Sequence, residues 1–167
     1  MKRLKAGAGN DAVHRGATSH DVMDTALALT AKATNDVLTE RTEAVRAALA
    51  RLDDRFGDAP LRARTRMQAA LPVTGSRRIA IWTDGIVSAA ARLKAALPGT
   101  ERLQLDGPVS DRRGFGDDPQ AFADRLASLL GLGSGTAWHA DRSGVAEMRA
   151  RSRSIQARSA RSGRTSR

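Results

Sequence analysis

Residues 20–56, HDVMDTALALTAKATNDVLTERTEAVRAALARLDDRF, hold neither glycine nor proline, and their apolar side chains recur at Val22, Ala26, Leu29, Ala33 and Val37, then at Val45, Leu49, Leu52 and Phe56. Steps of three and four place these residues on one face of an α-helix. Thr18 or Ser19 can cap its start, Asp21 and Asp24 suit the positive end of the helix dipole, and Gly57 marks the stop. At 1.5 Å per residue such a helix is about 55 Å long. A small globule cannot cover that length, so the stripe calls for long partner helices of the kind a multimeric bundle supplies.

Beyond Gly57, residues 58–74 carry Pro60 and Pro72 around a weakly periodic middle, RARTRMQ, and read as a connector with a short helix at most. A second amphipathic helix is expected over residues 76–97, with Ile79, Trp82, Ile86, Ala90, Leu93 and Leu97 on one face and Pro98-Gly99 at its end. The glycine-punctuated run LQLDGPVSDRRGFGDD follows, then a shorter helix in which Asp118 is the cap, Pro119 the first residue, and Phe122, Leu126 and Leu129 face inward until Gly131. Trp82 and Phe122 read as core. GFGD at residues 114–117 has neither a preceding strand nor a following Lys, which sets nucleotide binding aside.

Composition agrees with an all-α chain of one domain. Hydrophobic residues make up 41% but aromatics only 3%, with no Tyr, so the core is built of Ala, Leu, Val and Ile, which suits closely packed helices. The absence of Cys excludes disulfides and thiolate metal sites, and His14, His20 and His139 lack the spacing of a structural zinc site. No run of about 18 apolar residues occurs, and no apolar segment follows the basic N-terminus, so no membrane span and a cytoplasmic location are expected.

The net charge of +10 is concentrated at one end. Seven of the 28 Lys and Arg lie in residues 149–167, where there is no acid, leaving 21 basic against 18 acidic groups in residues 1–148, a net of +3. The organisation expected is a partial helical domain over 1–148 and a disordered Arg/Ser-rich tail over 149–167, whose only large apolar residue is Ile155. The tail reads either as an RNA-binding tract or as the product of a GC-rich gene read out of frame; with no aromatic residue to stack on bases, nucleic acid is the less favoured partner.

Three blocks carry a family resemblance. Residues 14–26, HRGATSHDVMDTA, resemble the H-x-G-A-T-S-Q-D-V-x-D-T-A block of the 3-carboxy-cis,cis-muconate cycloisomerases, members of the fumarase/aspartase superfamily with the adenylosuccinate and argininosuccinate lyases. Residues 63–74, ARTRMQAALPVT, resemble that family's R-T-x-x-Q-x-A-x-P-x-T run, and residues 103–108, LQLDGP, with 138–142, WHADR, resemble its cycloisomerase branch. Adenylosuccinate lyases place a His where this chain has Arg66, which favours that branch. His20 stands where the family has Gln, and Thr74 runs directly into Gly75 where another residue is usual.

The resemblance implies the long helices of the superfamily's central bundle, incomplete here, in a homotetramer whose active sites draw on several subunits. It implies lactonisation of 3-carboxymuconate, a small tricarboxylate of aromatic catabolism, with no cofactor. Thr18, Ser19, Arg64, Thr65, Gln68 and Thr74 are then the carboxylate-binding residues, and His14 is the residue that donates or relays a proton. The family's serine loop, S-S-x-M-P-x-K, does not occur in this sequence, so no turnover is expected from this chain alone. Other readings of the same residues stay open: an N-cap for Thr18 or Ser19, a solvated loop for Arg64 and Arg66, and a turn for the pair His139 and Asp141. So do two other functions, a helical partner that inserts into the bundle of a full-length homologue, and a small basic nucleic-acid-binding protein.

Overall fold

The computed structural model describes Gly7 and residues 15–164. Its elements are helix α1 (Ser19–Phe56), strands β1 (Pro60–Thr65) and β2 (Gln68–Thr74), helix α2 (Gly75–Thr100), a short 3-10 turn (Arg113–Phe115), helix α3 (Pro119–Leu130) and helix α4 (Ser143–Arg164). They form two compact units: residues 1–34 with 97–147, and residues 35–96 with 148–167.

Helix α1 begins and ends where the capping residues and Gly57 put it, but the face it buries is not the apolar stripe. Asp21, Asp24, Ala28, Ala31, Asn35 and Thr42 are buried, at heptad-like steps of three, four and seven. Val22, Val37, Val45, Leu52 and Phe56 are exposed, from 37% for Leu52 to 63% for Val22. Within one chain most of the stripe is therefore uncovered, with Leu29 and Leu49 half-buried, and the side that packs is small and polar.

Residues 58–74 form an antiparallel hairpin, not a connector with a short helix. Pro60 pairs with Thr74, Leu61 with Val73, Arg64 with Ala69 and Thr65 with Gln68, with an irregularity between Arg62 and Arg64. A two-stranded sheet has only edge strands, so Pro60 and Pro72 cost it little. The turn is Arg66-Met67, with φ of 43° and 67°, a geometry that sequence rules associate with Asn-Gly. No turn residue announced it.

In the first unit, Leu103 and Leu105 pack on Ala123 and Ala127 of α3, with Phe115, Leu126 and Leu130 around them. A second cluster joins Ala28 of α1 to Leu132 and Trp138. Helix α3 is capped as expected, Asp118 Oδ1 accepting from the Ala121 N–H at 2.9 Å and Gly131 closing it with φ 63°. Its inward face is rotated from the expected one: Ala123 and Ala127 are buried, while Phe122 is exposed and stacks on Phe115 at 5.5 Å, and Leu129 is exposed too. Leu103 and Leu105 lie against these two small side chains.

In the second unit Ala89 and Leu93 of α2 are buried with Leu38 against them, and Trp82 is half-buried rather than core. Helix α2 carries Pro98 inside its last turn and reaches Thr100. Helix α4 spans Ser143–Arg164; Ala and Arg are good helix formers, and residues 145–162 contain neither Gly nor Pro.

Candidate active site

Thr18 is the residue before α1 and Ser19 its first. The carboxylate of Asp21, not a hydroxyl, caps this end. The Thr18 N–H donates to Asp21 Oδ2 at 2.8 Å, and the Asp21 N–H donates to the Thr18 carbonyl at 3.1 Å. This is the side-chain half of a capping box, with Asp in the third position. The Thr18 and Ser19 hydroxyls make no hydrogen bond among the described residues. They are left available to a ligand.

Asp21 does more than cap. Buried to 3% exposure, it also accepts from the Asp106 N–H (Oδ1, 3.0 Å) and the Gly107 N–H (Oδ2, 3.1 Å), so it ties residues 106–107 to the head of α1. One turn on, the Thr25 hydroxyl donates to the Gln104 carbonyl at 2.9 Å and accepts from its N–H at 3.2 Å. The Gln104 side chain, 1% exposed, reaches a third segment: Oε1 accepts from the Trp138 N–H at 2.7 Å and the His139 N–H at 3.1 Å. Arg142 completes the joint, donating to Asp24 Oδ1 at 2.8 Å with its guanidinium 5.4 Å from the Trp138 ring centre. The head of α1, residues 103–107 and the 138–142 loop are thus one interlocked layer. They are also the first and third of the blocks that carried the resemblance.

His20 and His139 meet across this layer, ring centres 6.0 Å apart. His139 does not pair with Asp141, whose Oδ1 accepts from the Ser143 N–H at 3.0 Å. Hydrogen bonds from the Ser143 side chain and backbone hold the Asp141 carboxyl below its ordinary value.

The second block lies in the other compact unit. Thr65 and Gln68 face each other beside the hairpin turn and Arg64 sits two residues from it, all three exposed. Arg66 occupies the turn itself. Thr74 ends β2 and accepts from the Arg77 N–H at 3.3 Å, an N-cap for α2. His14 lies outside the described residues.

A pocket of about 520 Å³ opens beside Asp106, Asp111, Arg112, Gln120 and Thr136, and none of the expected site residues lines it. Arg112 fills much of its wall, paired with Asp106 and donating to the Leu105 carbonyl at 2.9 Å and to Gln120 Oε1 at 2.6 Å. Among the described residues no group of three or more His, Cys, Asp or Glu could hold a metal ion, and no helix is long and apolar enough to cross a membrane.

Sequence reasoning missed Gln104 and undervalued Asp21 and His139. The Thr18-x-x-Asp21 spacing did contain the capping box. Nothing local marks Gln104, because its partners lie 34 to 83 residues away.

A lyase family model matches residues 3–159. The chain is 34% identical over 136 residues to a 3-carboxy-cis,cis-muconate cycloisomerase of Bradyrhizobium diazoefficiens, covering 81% of this chain and 30% of that protein. It is 33% identical over 129 residues to an adenylosuccinate lyase of Methanothermobacter thermautotrophicus, covering 75% and 28%. The fumarate lyase structure from Mesorhizobium sp. BNC1 superposes with a TM-score of 0.84 at 32% identity, over 94% of this chain and 38% of that one. The chain spans about a third of the length of these relatives. On the family match, the identities and the shared fold, it belongs to the lyase family of the fumarase/aspartase superfamily, which includes the 3-carboxy-cis,cis-muconate cycloisomerases.

Proposed function

We propose that this chain carries the substrate-carboxylate-binding part of a 3-carboxy-cis,cis-muconate cycloisomerase. The observation that supports it is the state of Thr18 and Ser19: Asp21 has taken over the capping, so two hydroxyls stand at the positive end of α1 without a protein partner among the described residues. A helix N-terminus with free hydroxyl donors suits a carboxylate. Arg66, which replaces the His of adenylosuccinate lyases, supports the cycloisomerase branch over that one.

In the reaction a substrate carboxylate oxygen forms a C–O bond to one carbon of a double bond. The π pair moves to the neighbouring carbon, next to another carboxylate, and that carbon takes up a proton. Negative charge gathers on this second carboxylate, where donors at Thr18 and Ser19 would meet it. Arg64, Thr65 and Gln68 are proposed as carboxylate binders of the second unit. His14 is the proposed proton carrier. Thr74 would serve through its cap of α2. No step calls for a cofactor, and the setting proposed is cytoplasmic.

The proposal includes assembly with further copies of the chain or of a homologue. The uncovered Val37, Val45, Leu52 and Phe56 on α1 favour it, since an apolar stripe of that length is stable only when packed.

Titration of ¹⁵N-labelled protein with 3-carboxy-cis,cis-muconate and with adenylosuccinate tests the reading. Shifts of the Thr18 and Ser19 amides at lower concentration of the muconate, without lactone formation by the chain alone, are expected. Tighter binding of adenylosuccinate would overturn the branch assignment.

A further inference from the structure

The Gln104 amide can sit only one way round. Its Oε1 accepts from two backbone N–H groups, those of Trp138 and His139, and a flipped amide would turn its own N–H toward both donors. Its Nε2 therefore faces the other way, toward Asp21 Oδ1 and His139 Nδ1, each at 3.5 Å. These contacts are long and contribute little energy. Their direction is what matters. An amide NH₂ only donates, so this contact is favourable only when the His139 Nδ1 is the acceptor, the neutral tautomer with its proton on Nε2.

We propose that His139 is a further ligand-binding residue of the site at the head of α1, presenting Nε2–H to a substrate carboxylate, with Gln104 fixing the tautomer. This rests on the reading of Thr18 and Ser19 as carboxylate binders. His139 is half-buried and lies across from His20, the residue next to Ser19, at 6.0 Å between ring centres. The charged groups around it are committed elsewhere: Asp21 to the N–H groups of Thr18, Asp106 and Gly107, and Arg142 to Asp24. The Nε2–H thus adds a neutral donor to two hydroxyls, which is the equipment for orienting a carboxylate rather than for exchanging its proton.

The test is long-range ¹H–¹⁵N correlation NMR of the imidazoles in the full chain, first alone and then with 3-carboxy-cis,cis-muconate. The expected result is the Nε2–H tautomer for neutral His139, and a shift of its Nε2 over the same concentration range that moves the Thr18 and Ser19 amides. His139→Gln, whose amide nitrogen stands near the Nε2 position, should keep affinity within about threefold, and His139→Phe should lose about tenfold or more, one hydrogen bond to a charged group. The Nδ1–H tautomer overturns the inference. So does a ligand that moves Thr18 and Ser19 but leaves His139 untouched, and in that case the parent reading survives. A ligand that moves none of the three removes both.

Discussion

The Thr18 amide donates to Asp21 Oδ2 at 2.8 Å, and the same carboxylate holds the backbone of Asp106 and Gly107, so helix cap and interlayer joint are one group. Asp21→Asn keeps the shape but puts an NH₂ among N–H donors on one side. A loss of about 1–3 kcal/mol is expected, the cost of leaving buried donors unpaired. Urea unfolding would show it, and Asp36→Asn, exposed on the same helix, should change the midpoint little.

Gly16 sits just before this cap with φ 72°, and a Cβ there would lie 2.7 Å from backbone atoms of Gly114. Backbone cannot yield as a side chain can. Gly16→Ala should therefore destabilise by more than about 1 kcal/mol, whereas Gly116→Ala, with comparable φ but open space around it, should cost only the conformational strain. Thermal melts of the two variants separate steric from torsional cost.

The hairpin turn places Arg66 and Met67 at positive φ, which penalises a side chain by roughly 1–2 kcal/mol per residue. Replacing the pair by Asn-Gly is expected to stabilise the hairpin by about 1 kcal/mol or more. Slower amide exchange in residues 60–74 is the readout. Unchanged exchange would argue against this turn.

Asp124 accepts from the Ser134 hydroxyl and from Gln120 Nε2, and these bonds, the Ser134 one foremost, hold its carboxyl below the ordinary value. A carboxyl whose pKa is lowered on folding adds stability above its unfolded value of 3.8, and that stability is lost as pH falls through the lower folded value. The link from α3 to residue 134 should accordingly loosen only below about pH 4. In Ser134→Ala, carboxyl NMR should show Asp124 titrating at higher pH than in the wild type.

What the sequence revealed and what it hid follow a physical division. The ends of α1 and α3 were legible because caps are local: Asp21, Asp118 and Gly131 act on neighbours within a few residues. The buried side of α1 was not, because Asp21 and Asp24 are tolerable inside only through partners at Gly107 and Arg142, more than eighty residues away. The hairpin hid for a different reason. Its turn uses residues that no turn rule favours. The family blocks bridged part of this gap, since two of the three, remote in sequence, form one layer.

The Gln104 side chain behaves as a spare peptide unit. Its carbonyl takes two N–H groups from the 138–139 loop as an adjacent strand would, and its NH₂ points back at the helix. A strand can be shifted, shortened or twisted while keeping its ladder, but one amide on a three-bond tether cannot. Asn falls a methylene short, Glu brings a second acceptor toward Asp21, and Met or Leu offers nothing to the loop. The N–H groups of residues 138 and 139 therefore depend on a single side chain with no near equivalent, and a saturation library at position 104 should return almost only the parental amino acid.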